Sequence, residues 1–574
     1  KRLHFKNLEK YDMDFRMKIA EAIADRTGLG RDEIAELLET PKNPDMGDVA
    51  FPCFRLAKTM RKAPPRIAAE LAESIALPEG VQSAAAAGGY LNFMLDRGAQ
   101  AGAVLRRIFE EGERYGGSDE GAGRNVCIDY SSVNIAKPLH IGHLPSTVIG
   151  NSLYRIYRHM GYTPIGINHL GDWGTQFGKM IYAYKAWGDR ETVEKGGVDE
   201  LVKLYVRFHQ EAENNEAMND AARAWFKKIE DNDPEAMELF EWFKKITLEE
   251  VQQVFERMGI RFDSYAGESF YNDKMDRVVN ELREKGLLKL DQGAQIVDLS
   301  EYKMPPCIIL RSDGATLYAT RDIAAALYRK DTYDFAKCLY VVAYQQDLHF
   351  RQWFKVVELM GYPWAKDLIH VSFGMVSGTE GAFSTRKGNM VKLRDVLNAA
   401  IEKTGEIMRE KSPNLENRDE IAREVGVGAL VWNSLYTSRI KDVVFDWNTV
   451  LNFDGETGPY AQYTHARACA VLRKGQPEGE IDYSLLSDEQ SRALVAALAA
   501  FPGAVREAME KNEPYLVSRA VMAICQSFNR FYYEQRIMAD DAAERNARLA
   551  LTDAARRVIA IGLGLVGLAA PERM

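Results

Sequence analysis

A chain of 574 residues, 46% hydrophobic and 27% charged, is ordinary in composition for a globular protein and too long for one core, so three or four domains are expected. Its formal net charge of −9 argues against a uniformly basic nucleic-acid coat and leaves room for a local basic face. No run reaches the roughly 18 apolar residues of a membrane span, and six scattered cysteines without a C-x-x-C pair predict buried free thiols in a reducing, cytoplasmic setting, with no structural metal.

In chain order, "KRLHFKNLEKYDMDFR" is charged and lacks the apolar core of a signal peptide. Helical periodicity over 15–27 and 31–38 leads into turn chemistry at Pro41, Asn43-Pro44 and Gly47, and "GGYLNFML" reads as a strand. A helix over 97–114 and the glycine-rich "YGGSDEGAGR" close a small α/β domain assigned to residues 1–115. From residue 124 strands alternate with helices, which predicts a parallel sheet. Helical patterning alone over about 181–258 indicates an insertion, since Leu201, Leu204, Tyr205 and Phe208 recur at i, i+3, i+4, i+7. The α/β pattern resumes at "GAQIVDL", "CIILRSDGATLYATRDIAAALY", "KCLYVVAYQQDLHF" and "DLIHVSFGMV", completing a domain assigned to 124–395. A helical bundle over 396–574 follows, and "VIAIGLGLVGLAA" is expected as a packed terminal helix.

The stretch "DYSSVNIAKPLHIGHLPSTVIG", residues 129–150, carries the chemistry. The apolar, β-forming "NVCIDYS" is a buried strand, and a helix starts beyond Gly142, so the loop between them lies at the carboxyl edge of the sheet, where ligands bind. A helix N-terminus there offers unpaired N–H groups to phosphate, and His140 and His143 add imidazole donors. Taken alone, His-x-x-His leaves metal ligation or buried structural histidines open, and neither a P-loop nor a G-x-G-x-x-G motif is present. A small HxGH adenylyltransferase is a second reading of the tetrapeptide, although it leaves both ends of this chain unexplained.

"HIGH" at 140–143 is the first signature of class I aminoacyl-tRNA synthetases. "SSVNIAKPLHIGH" with "INHLGDWGTQFG" (167–178), "AGESFY" (266–271), "RSDGATLYATRDIAAALYR" (311–329), "YQQDLHF" (344–350), "STRKG" (384–388), "FDGETGPYAQYTHAR" (453–467) and the tail "APERM" together resemble the arginyl-tRNA synthetase family, in unbroken order from about Pro41. The resemblance implies a Rossmann-like α/β catalytic domain with a helical insertion, an N-terminal α/β additional domain and an all-α anticodon-binding bundle. It also implies ligation of L-arginine to tRNA(Arg) with Mg-ATP, by a monomer whose activation step depends on tRNA.

Carried over residue by residue, the resemblance gives His140, Ile141, Gly142 and His143 to ATP, joined by Ser384, Arg386 and Lys387 of the second signature. That signature stands here as "AFSTRKG", with Ala382 and Phe383 in place of its first Lys and Met, and Lys137 is the expected substitute for the missing lysine. Pro145 stands where the family usually has Arg. Tyr318, Asp322 and Gln346 are expected on the substrate arginine with Glu268 as a second acid, while Ser132, Asn134 and His143 meet its α-amino and carboxylate end. Tyr318 and Asp322, four apart on a helix start, share a face; read alone, Asp322 is also placed to pair with Arg321 or Arg329. For tRNA, Tyr460, Tyr463 and Arg467 fall within two helical turns facing the anticodon, one tyrosine being expected in the core. Tyr90 and Asn92 alternate on one strand face, matching the family's Tyr-x-Asn that reads a D-loop base.

Overall fold

The computed structural model describes residues 10–41, 43, 46–312, 315–378, 381–382, 391–446, 450–452 and 455–574. The N-terminal unit packs α1 (Lys10–Thr27), α2 (Arg31–Leu37), α3 (Leu56–Met60) and α4 (Pro64–Ser74) with an antiparallel sheet of order β1 (Val49–Pro52), β3 (Tyr90–Leu95), β2 (Val81–Ala87). Its core is its own, built on Phe15, Ile19, Ile23, Phe51, Leu91 and Phe93. The alanine run at 84–87 is the edge strand β2, with Ala84 opposite Phe93 and Ala86 opposite Leu91. Alanine favours helix as an isolated residue, and pairing to the apolar β3 overrides that preference.

α5 (Arg97–Glu111) leaves this sheet under an Asp96 cap, whose side chain accepts from the Ala99 N–H at 2.6 Å. The central sheet is parallel throughout, in the order β10 (Leu368–His370), β9 (Lys337–Tyr340), β4 (Asn125–Asp129), β5 (Thr163–Ile167). The two-residue period of β4 divides its side chains between two cores. Val126 and Ile128 face α6 (Leu144–His159) and the C-terminal helices, while Cys127 faces α11 (Met275–Glu284), α12 (Tyr318–Tyr333) and α13 (Asp347–Leu359). Each such fully buried aliphatic side chain contributes about 1.5–3 kcal/mol.

Between β5 and α11 run four helices, α7 (Thr175–Trp187), α8 (Arg190–Ala212), α9 (Glu216–Glu230) and α10 (Pro234–Arg257). The strands expected within "GAQIVDL" and "CIIL" form, as β7 (Ala294–Val297) and β8 (Cys307–Leu310), but they stay out of the parallel sheet. They pair antiparallel with each other, and β7 also pairs antiparallel with β6 (Leu288–Asp291), to which a two-residue connection joins it as a hairpin. A third small sheet joins β11 (Val376–Gly378) to β12 (Gly381–Ala382) and β13 (Val443–Phe445).

The C-terminal part holds α14 (Leu393–Lys411), α15 (Arg418–Leu435), α16 (Gly458–Leu472), α17 (Glu489–Lys511), α18 (Tyr515–Glu534) and α19 (Ala542–Leu565). These helices share one continuous core with the central sheet. Polar ties cross the same boundary. The Tyr115 hydroxyl donates to the Leu498 carbonyl at 2.8 Å, and Ser152 donates to that of Leu565 at 3.0 Å. The apolar stretch near the end is packed: a β-carbon on Gly562 would lie 2.2 Å from Val521. Among the described residues no helix is long and apolar enough to cross a membrane, and all six cysteines are free and buried.

Candidate active site

β4 ends at Asp129 and the chain enters a loop with left-handed backbone at three residues that carry a β-carbon, Ser131 (φ 72°), Ser132 (φ 50°) and Ala136 (φ 60°). Such conformations persist where surrounding bonds over-determine them. The Ser131 N–H donates to Ser146 Oγ at 2.9 Å, and Ser146 Oγ donates to the Val341 carbonyl at 2.7 Å. The Val133 N–H donates to Asn168 Oδ1 at 3.2 Å, and the Ala136 N–H to Thr247 Oγ1 of α10 at 3.0 Å. Both sheet neighbours and the helical insertion therefore hold this loop.

The two signature histidines are locked by their own backbone. His140 Nδ1 accepts from the Gly142 N–H at 3.1 Å, and His143 Nδ1 accepts from the His140 N–H at 3.2 Å. With its Nδ1 used as an acceptor, the His140 ring carries its proton on Nε2 and presents it as a donor, whereas His143 Nδ1 lies 3.3 Å from the His140 carbonyl as well, so that its tautomer sets which of the two it meets. Burial, then the His140 and Lys137 charges, pushes His143 down to about 3; burial and then Lys137 lower His140 as well. Both rings are thus neutral, 4.0 Å apart between centroids. Gly142 is required here, because a β-carbon would stand 2.9 Å from the His140 ring. Ile141 is fully buried, Lys137 and Asn134 are exposed, and Pro145 is buried in the first turn of α6, where its missing N–H costs nothing. Ser384, Arg386 and Lys387 lie outside the described residues.

A cavity of about 170 Å³ opens beside this loop. Its wall includes Ser132, Asp322 and Gln346, as expected from the sequence, and also Asp129, His169, Arg329, Tyr340 and His349, which sequence reasoning missed. Asp322 pairs with neither neighbouring arginine. His349 Nε2 stands 2.6 Å from its Oδ2, while Arg329 is buried against Asp129 at 2.7 Å and Arg321 lies 3.9 Å from Glu268. Helical spacing held part of this signal, since Arg329 follows Asp322 by seven residues and so shares its face of α12. Tyr318, one turn before Asp322, is 68% exposed and does not line the cavity. Glu268 also lies outside the lining. Its burial raises it to about 7, opposed by Arg321 and reinforced by Asp172 and Asp322. Two larger clefts, of about 540 and 820 Å³, include Met160 and Arg158 at the far end of α6, roughly 24 Å from the histidines by helix rise.

The expected tRNA residues are dispersed. Tyr90 is half-buried against Phe54, with ring centroids 5.3 Å apart, whereas Asn92 is 5% exposed and its Nδ2 has no partner among the described residues. Tyr460 is the core-facing tyrosine, its hydroxyl accepting from Asn529 Nδ2 at 2.8 Å. Tyr463 is 41% exposed. The Arg467 guanidinium lies 4.9 Å from the Tyr463 ring centroid and 5.1 and 5.2 Å from those of Tyr532 and Tyr533, two exposed aromatics of α18 that the sequence reading did not single out. Arg467 also donates to Asn529.

The family model for tRNA synthetases class I (R), catalytic domain, matches residues 105–447. Those for the DALR anticodon binding domain and the arginyl tRNA synthetase N terminal domain match 461–574 and 13–95. Arginine–tRNA ligases of Clostridioides difficile (strain 630) and Alkaliphilus metalliredigens (strain QYMF) are 54% and 51% identical to the chain, each alignment covering 98% of it and all of the relative. The arginyl-tRNA synthetase structure of Thermus thermophilus superposes with a TM-score of 0.79 at 26% identity, covering 97% of this chain and 100% of that one. The Plasmodium falciparum structure, at 21% identity and TM-score 0.76, shares the fold. The chain therefore belongs to the arginyl-tRNA synthetase family of class I aminoacyl-tRNA synthetases.

Proposed function

We propose that the 170 Å³ cavity takes the side chain of L-arginine, that the His140–His143 turn takes ATP, and that the two substrates meet over the loop joining them. The observation that carries this reading is that one loop, leaving β4 at Asp129, walls the cavity through Ser132 and ends in the paired histidines. Guanidinium is planar with fixed donors, and a partly buried carboxylate at Asp322 suits it better than an ammonium. Glu268, Gln346 and the exposed Tyr318 then act at the mouth of the cavity, and Asn134 with Ser132 at the α-amino end.

ATP enters as its magnesium complex. A carboxylate oxygen of arginine bonds to the α-phosphorus as the bond to the pyrophosphate oxygen breaks, giving arginyl-adenylate. The neutral imidazoles of His140 and His143 stabilise charge on phosphoryl oxygens through ring N–H donors, without a net positive charge of their own. Lys137, Arg386 and Lys387 supply the cationic part, with Ser384 beside them. A terminal ribose hydroxyl of tRNA(Arg) then attacks the arginyl carbonyl and AMP leaves. Tyr90 and Asn92 of the N-terminal sheet, and Tyr463 and Arg467 of α16, contact the tRNA; Tyr460 supports the latter pair through Asn529. The division into units over 1–115, 124–395 and 396–574 follows these three tasks. We take the enzyme to be a cytoplasmic monomer, a setting in keeping with six unpaired, buried thiols.

ATP–pyrophosphate exchange driven by arginine, with and without tRNA(Arg) and with lysine and citrulline as controls, tests the reading. Exchange with arginine alone among the three, appearing on addition of tRNA, is the expected result. Exchange without tRNA removes the tRNA requirement, and exchange with citrulline as good as with arginine removes the acidic pocket.

A further inference from the structure

Helix α8 does not run straight. At Gly197 its backbone takes φ 57° and ψ −141°, a conformation open to glycine almost alone, and the helix resumes at Val198. Asp199 therefore stands at the start of a new helical segment, aimed at the chain that leads into α14. Its Oδ1 accepts from Lys392 Nζ at 2.8 Å and its Oδ2 from Arg394 Nη2 at 3.2 Å. The other arm of Arg394, Nη1, lies 3.3 Å from Glu250 of α10. Two helices of the insertion thus grip one short segment.

That segment is laid along the signature turn. The Ile141 N–H donates to the Val391 carbonyl at 3.0 Å, and the Leu393 N–H donates to the Leu139 carbonyl at 2.8 Å, with His140 opposite Lys392. Residues 391–393 are a short antiparallel partner for 139–141, so any shift of Lys392 is passed to the His140 backbone. The placing of charge is also telling. Lys392 is the N-cap of α14, with no side-chain cap, and Arg394 sits in its first turn. The helix dipole disfavours cations there; Asp395 of the same turn lies 3.5 Å from Arg394, and Asp199 with Glu250 adds further negative charge from outside the helix.

We propose that Asp199 is a positioning residue, tying the helical insertion to the signature turn through Lys392 and Arg394 and setting where His140 stands toward ATP. The proposal rests on the reading of His140 as an ATP contact. It makes the insertion part of the alignment of the phosphate site. Half-exposed ion pairs of this kind add little to stability, so the effect of losing this one falls on geometry.

The test is steady-state pyrophosphate exchange by the full chain with saturating tRNA(Arg), comparing Asp199→Asn, Asp199→Ala and Asp199→Glu. Misplacement by a fraction of an ångström is expected to raise KM for ATP and lower kcat, together about tenfold. KM for arginine and the apparent Tm stay near their original values, and Asp199→Glu recovers most of the loss. Lys392→Met should add little to Asp199→Asn, because the two act through one contact. Unchanged ATP kinetics in Asp199→Asn overturn the proposal, as does an equal loss toward both substrates with a falling Tm. His140→Ala separates the underlying reading: if it retains full exchange, the ATP assignment of His140 fails whatever Asp199 does.

Discussion

Glu268 sits where burial, Asp172 and Asp322 favour its neutral form, and Arg321 at 3.9 Å does not fully offset them, leaving it near 7. A guanidinium arriving beside Asp322 adds the positive charge that Glu268 lacks, so arginine binding below pH 7 should expel a proton. Affinity for arginine is expected to rise with pH up to about 7, by at most roughly tenfold per unit, and then to level off. Calorimetry at pH 6.5 in two buffers of different ionisation enthalpy reads the released proton directly, and Glu268→Gln should abolish both the release and the slope. For stability the sign is opposite. An acid whose folded pKa is raised stabilises the fold at low pH, and that contribution is lost as pH climbs from the ordinary glutamate range through 7. At Asp322 the expectation is larger: Asp322→Asn removes a charge-assisted contact and should cost about 2–4 kcal/mol in kcat/KM for arginine. His349→Gln keeps a donor beside Asp322 and should lose far less than His349→Ala. The histidines of the signature were legible because their spacing is local. The partner of Asp322 was not, since His349 comes from the next helix, 27 residues on, and the arginines beside Asp322 in sequence are taken by Glu268 and Asp129.

At the scale of elements, period alone identified β4, its following helix and the helical insertion, because each buries a face that its own sequence repeats. It did not say which sheet β7 and β8 would join, since an apolar run of four residues reads alike in either, nor that an alanine run would be drawn into β2. Close approach is likewise invisible in sequence. Gly150, in the middle of α6, looks like a weak point in a helix. Yet its bare Cα lets α6 lie directly on the buried Tyr130, and a β-carbon would fall 2.2 Å from that ring. Gly150→Ala should therefore destabilise, by about 1–3 kcal/mol, where helix propensity alone predicts a gain. Thermal inactivation measures it. Because Tyr130 opens the loop that carries Ser131 and Ser132, exchange activity at moderate temperature should fall along with stability, whereas the same change at exposed, left-handed Gly123 leaves exchange activity at that temperature intact.

The whole molecule poses a problem of span, since the residues proposed for tRNA lie on β3 near one end of the chain and on α16 near the other. The N-terminal sheet has a separate core and shares none of the packing that fuses the central sheet to the C-terminal helices. What aligns it is α5, which packs on the turn Tyr483–Leu485 without room to spare. A β-carbon on Gly98 would stand 2.8 Å from Ser484 Cα, and Arg106 stacks over Tyr483 at 5.3 Å from its centroid. Backbone cannot yield as a flexible side chain does, so Gly98→Val must swing α5 away from the turn, carrying Tyr90 with it. None of the residues of that contact lines the cavity or belongs to the signature turn. The expected outcome is a KM for tRNA(Arg) raised by about tenfold, the loss of roughly one base contact. Exchange at saturating tRNA and the KM for arginine should remain unchanged. A Gly98→Val enzyme with unaltered tRNA kinetics would mean that the N-terminal sheet binds its part of the tRNA independently, its alignment by α5 being immaterial. One with impaired exchange at saturating tRNA would mean that α5 transmits strain to the sheet through Tyr115, whose hydroxyl already ties that end of the chain to α17.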